Sequence, residues 1–85
     1  MRTIVVDFKD FNDKQSVHEF LSSHLEFPDY YGKNLDALYD LLSTEGRDTT
    51  ILVLPAGKEF ETGFISVFKD AAEENPHVVV GVRPN

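Results

Sequence analysis

Asp36 and Asp40 stand four residues apart in the stretch Asn34-Leu35-Asp36-Ala37-Leu38-Tyr39-Asp40, a spacing that stacks two carboxylates on one face of a helix. Such a pair can act as acid and base in glycoside hydrolysis, accept bidentate hydrogen bonds from a partner's arginine, or stand as a solvated surface. Two acids on an open helix face both stay ionised, which leaves neither with a proton to donate. A chain of 85 residues also has little room for a sugar-sized pocket, so no catalytic residue is assigned. The neighbours favour binding: Tyr30, Tyr31 and Tyr39 belong to a residue type enriched at interface centres, and Gly32 permits close backbone approach. Either of Tyr30 and Tyr31 can instead be core. The histidines His18, His24 and His77 lack the spacing of a zinc site, and His24 falls near an apolar stripe as a packed residue. No metal or other cofactor is expected.

These residues need a frame to hold them. Advancing 100° per residue, Leu35, Leu38, Leu41 and Leu42 gather on one side of a helix and Asp36, Asp40 and Ser43 on the other, with Tyr39 on the flank. Asn34 is the natural N-cap. Asp36 is favoured near the helix start, whereas Asp40 repels it at a cost of a few tenths of a kcal/mol. Three short β-branched runs, Thr3 to Phe8, Thr50 to Leu54 and Val78 to Val82, read as strands covered on at least one face of a parallel sheet. A first helix is expected from Asn12 or Asp13 to about Leu25, with Asn12 and Gln15 fitting a capping box and Val17, Phe20, Leu21 and Leu25 forming its core stripe. A last helix from about Thr62 to Asn75 buries Phe64, Val67, Phe68 and Ala71, and Pro76 ends it. Strands alternating with helices give the α/β class: a small two-layer open sandwich with a three-stranded parallel sheet and about three helices.

Length and composition limit the rest. One domain over residues 1–85 is expected, folded by hydrophobic packing alone because the chain has no cysteine. The N-terminal apolar run is too short for a signal peptide, which points to a cytoplasmic protein. A net charge of −7 disfavours direct binding of nucleic acid or an anionic membrane and favours a basic partner, although acidity also serves solubility. The free protein is expected to be a monomer. The loops Ser43 to Asp48 and Pro55 to Glu61 are exposed candidates for binding.

The fourteen residues Phe27-Pro28-Asp29-Tyr30-Tyr31-Gly32-Lys33-Asn34-Leu35-Asp36-Ala37-Leu38-Tyr39-Asp40 resemble the signature of the barstar family of bacterial ribonuclease inhibitors. The order of elements and the Val67-Phe68 pair of the last helix are similar too. The resemblance implies an inhibitor, not an enzyme, that lays its second helix and the preceding loop across the active site of a small basic ribonuclease. It makes Asp40 the main anchor, standing in for a substrate phosphate, with Asp36 in support. Tyr30, Gly32, Asn34, Leu35 and Tyr39 then line the contact surface, and Ser43 and Thr44 form its far edge. The chain departs from the family's best-known member in having Tyr39 in place of a tryptophan. Thr44-Glu45-Gly46-Arg47 replaces the next aromatic contact, and Arg47 adds a positive charge facing a basic partner. The segment Pro55 to Glu61 is short for the family, so Glu59 and Glu61 are both candidates for the acid expected there. The alternative reading is an acidic interaction module for a basic partner that is not a ribonuclease, such as another toxin domain.

Overall fold

The three β-branched runs form one parallel sheet in a computed structural model that describes residues 2–83. Strand β1 (Arg2–Asp7) pairs with β2 (Thr49–Leu54), and β2 pairs with β3 (Val78–Val82), in the order β1-β2-β3. Helix α1 (Lys14–His24) and helix α2 (Leu35–Ser43) lie in the first crossover, and helix α3 (Glu61–Glu74) in the second. Phe8, which the sequence pattern assigns to the first strand, instead opens a single 3₁₀ turn, Phe8–Asp10, capped by the Asp7 carboxylate on the Lys9 amide.

A strand order that runs straight through chain order, joined by right-handed crossovers, puts every helix on the same face of the sheet. Burial agrees. The register aligns Ile4 with Ile51 and Val6 with Val53, all buried, while Val5 and Val79 on the opposite face are 46% and 54% exposed. The result is the two-layer open sandwich expected from the pattern. Phe8, Phe64, Phe68, Leu21, Leu25, Leu38 and Leu42 fill the space between sheet and helices.

Helix ends show where local chemistry chose differently from the sequence pattern. Asp13, not Asn12, caps α1: its carboxylate accepts from the Ser16 amide at 2.8 Å while the Ser16 hydroxyl donates back to the Asp13 carbonyl at 2.8 Å. The reciprocal cap is thus displaced by one residue from the Asn12–Gln15 pairing, and it sets a negative charge at the positive end of the helix. His24 is exposed, not packed in the core. Its ring stacks on half-buried Phe20 at 4.0 Å and 25°, and Nδ1 lies 2.9 Å from the Phe20 carbonyl. The buried histidine of α1 is His18.

Helix α3 starts at Glu61 without a side-chain N-cap and ends at Glu74. Asn75, placed inside this helix by the sequence pattern, has left it (φ −129°, ψ 109°), because a residue before proline is forced out of helical geometry. This frees its side chain to act elsewhere. The buried Asn75 amide donates to the carbonyls of Leu42 and Glu45, each at 2.8 Å, and its oxygen accepts from the His77 amide at 2.9 Å. One side chain therefore closes the C-terminal end of α2, where carbonyls lack helical partners. Asn75→Ala removes the amide from both carbonyls, leaving that of Leu42 with its longer 3.3 Å bond from the Glu45 amide, and is expected to lower stability by about 1–3 kcal/mol in urea denaturation. A loss below about 1 kcal/mol would show that the α2 terminus does not depend on this amide.

Candidate functional site

Helix α2 is held from both ends and from below. At its start the Asn34 carboxamide oxygen accepts from the Ala37 amide at 2.8 Å, which is the cap expected from sequence. Lys33 just before it takes a left-handed conformation, φ 53°, that turns the chain into the helix. Leu38 and Leu42 are fully buried, Leu41 is half-buried, and Leu35 remains 37% exposed at the rim.

The opposite side of α2 presents Asp36 and Asp40 to solvent. Both line a groove of about 520 Å³ with Leu35, Tyr39, Val67 and Asp70, so α3 supplies the second wall. Half-buried Tyr39 forms part of its floor. Its hydroxyl titrates above the ordinary range, first through partial desolvation and then through the carboxylates of Glu74, Asp70 and Asp40. Three carboxylates thus act on one phenol. Asp70 and Glu74 were not singled out in the sequence, though they repeat on α3 the four-residue spacing of Asp36 and Asp40. The field of such a cleft favours a cationic partner. Among the described residues no group of His, Asp or Glu is arranged to hold a metal ion.

The loop before α2 separates its tyrosines. Tyr30 is 83% exposed, whereas Tyr31 is buried, edge-on to Phe27 at 4.9 Å, with its hydroxyl 2.5 Å from Nδ1 of His18. Burial pushes the Tyr31 phenol up to about 12. His18 titrates below its usual range because of burial, then the charges of Lys14 and Lys33. This neutral histidine ties the loop to α1.

At the far edge, Ser43 and Thr44 turn their hydroxyls inward to the Asp40 carbonyl at 3.2 and 2.8 Å. Arg47 does not stand as a free positive charge: its guanidinium pairs with Glu26 at 3.1 Å and Glu45 at 3.5 Å, and Glu45 also meets Arg2 at 3.1 Å. Burial alone would raise the Glu45 carboxyl. The Arg47 amide and the Arg2 and Arg47 charges outweigh it and hold the group low. Of the two acids at the start of α3, Glu61, its first residue, is 4% exposed and accepts from the Ala56 and Lys58 amides at 2.9 and 2.8 Å. It fastens the loop. Glu59 is exposed beside Asn12, Lys14 and Phe60, and does not line the groove of α2.

A short α/β scaffold with one acidic, tyrosine-floored groove defines a binding protein. A family model described as "Barstar (barnase inhibitor)" matches residues 1–82. The chain is also 40% identical over 70 residues, 82% of its length and 76% of the relative's, to "Putative ribonuclease inhibitor YrdF" of Bacillus subtilis (strain 168). The chain belongs to the barstar family, and with that to the inhibitors of ribonucleases rather than to the enzymes.

Two outcomes follow from this geometry. Asn34→Ala removes the N-cap and is expected to cost about 1 kcal/mol in thermal or urea melting, with unchanged stability meaning that the helix begins elsewhere. Lowering of the His18 titration means that the unfolded chain binds the extra proton first, so stability is full at neutral pH and declines as pH falls below about 6.5. Asp48 and Glu45, whose carboxyls are held low, contribute losses only in the acid range beneath that. His18→Gln should therefore flatten the decline that begins below about pH 6.5. A slope unchanged by the substitution would assign the proton to another group.

Proposed function

We propose that this protein inhibits a basic, barnase-like ribonuclease by laying the acidic face of α2 and the loop before it across the nuclease active site. The observation that carries the reading is the groove in which Asp36, Asp40 and Asp70 converge around Tyr39. A ribonuclease site must hold phosphate, so it presents Arg, Lys and His side chains, and carboxylates fixed on a helix can occupy the same donors. Asp40 is the anchor and Asp36 its support. Exposed Tyr30 and half-buried Tyr39 supply aromatic contact area on either side, with Gly32, Asn34 and Leu35 between them and the Ser43–Thr44 turn closing the far edge.

Fixing the helix beforehand is what makes this arrangement bind. The acids are immobilised by Asn34, Asn75 and buried leucines before any partner arrives, so association does not have to order them. The repulsion among the three groove carboxylates, Asp36, Asp40 and Asp70, is relieved when a cationic surface replaces water. In this reading the protein is a monomeric, cytoplasmic antitoxin that acts without a cofactor and does not touch RNA.

The experiment is inhibition of a basic ribonuclease of the barnase type, with parent and Asp40→Ala followed by stopped flow at several salt concentrations. Truncating one member of a desolvated charge pair is expected to weaken inhibition by at least about a hundredfold, mostly through faster dissociation, while the melting temperature holds or rises. The parent's on-rate should fall steeply with salt, because steering is screened over about 8 Å at physiological ionic strength. Retained inhibition by Asp40→Ala would remove that residue from the site. Absence of inhibition by the parent, with capture of another basic protein, would replace the ribonuclease with a different cationic partner.

A further inference from the structure

Gly63 lies in the first turn of α3, at a position whose backbone is helical and gives no conformational reason for glycine. Glycine in a helix is destabilising by about 0.5–1 kcal/mol relative to alanine. The space a side chain would need is already filled: a β-carbon on residue 63 would come within 2.8 Å of Cδ1 of Leu35. That distance is far inside van der Waals contact, so any other residue here must displace the leucine. Leu35 is free to be displaced, since it is 37% exposed at the rim of α2.

The location of Leu35 gives the contact its importance. On one side it lines the acidic groove with Asp36, Asp40 and Asp70. On the other it lines a second cleft, of about 420 Å³, with Asp13, Lys14, His18, Lys33 and Phe64. Its side chain is a ridge between an acidic groove and a cleft that carries both lysines and the Asp13 carboxylate, and it is the residue the two share. A partner that engages both clefts must straddle it.

We propose that Gly63 is a positioning residue of the recognition surface: the notch it leaves in α3 seats the Leu35 side chain as the ridge between the acidic groove and the lysine-lined cleft. The role in binding rests on the ribonuclease reading given above; the seating itself does not.

The test is a double-mutant cycle of Gly63→Ala and Leu35→Ala on the full chain, read in two ways. In urea unfolding of the free protein, Gly63→Ala on the Leu35→Ala background should raise the folding constant roughly two- to fivefold, the helix gain of alanine over glycine. On the parent background that gain should vanish or reverse, because the leucine is displaced. Equal gains on both backgrounds would overturn the seating. In binding to a basic ribonuclease, Gly63→Ala should weaken the parent about tenfold and add nothing once Leu35 is already truncated. Full affinity in Gly63→Ala, with the stabilities coupled, would overturn its positioning role. A parent that binds no ribonuclease would defeat the ribonuclease reading instead, and the stability cycle would still decide whether Gly63 seats Leu35.

Discussion

A helix of nine residues has no stability of its own in water, and this one carries like charges one turn apart. Everything that the proposed recognition surface does depends on how α2 is clamped. The clamp has three parts, each from a different region of the chain. Asn34 satisfies an amide at the start, Leu38 and Leu42 bury the lower face, and Asn75, more than thirty residues later, satisfies the carbonyl at the end. The fold can be read as the arrangement that brings these three together.

The same clamp lets the protein hold charges where water would disperse them. Asp36 gains from the helix start, but Asp40 lies a turn beyond that benefit, and Asp70 and Glu74 of α3 act on the same tyrosine. Burial of the leucines outweighs this repulsion by a wide margin, since a fully buried leucine contributes roughly 1.5–3 kcal/mol and an exposed like-charge pair costs a few tenths. Stability thus resides on the core side of the helix, and the solvent side is left free for the proposed contact. A substitution on one side need not disturb the other.

Local signals in the sequence carried much of this. The strands stood out because β-branched runs suit a parallel sheet, the α2 cap because Asn34 immediately precedes an amphipathic run, and the buried leucines because they recur with helical period. What stayed hidden depends on contacts between elements. The choice of Tyr31 over Tyr30 for the core is made by His18, which lies on α1, and His24 lies outside the core because its ring finds a stacking partner in Phe20 on the surface. Arg47 reads as a free charge until folding brings Glu26 beside it, and Glu61 reads as a surface acid until the loop amides of Ala56 and Lys58 close on it. Asp70 belongs to the groove only because α3 packs along α2.

The placement of Asn75 has a consequence for how the molecule is made. Synthesis proceeds from the N-terminus, so α2 leaves the ribosome well before the side chain that closes its C-terminal end. Until then the nascent chain also lacks β3, the strand beside β2, and its acids ride on a helix too short to persist. The proposed recognition surface therefore comes into being only after Asn75 and β3 have been made, and a message cut short upstream of that asparagine yields a product without the clamp.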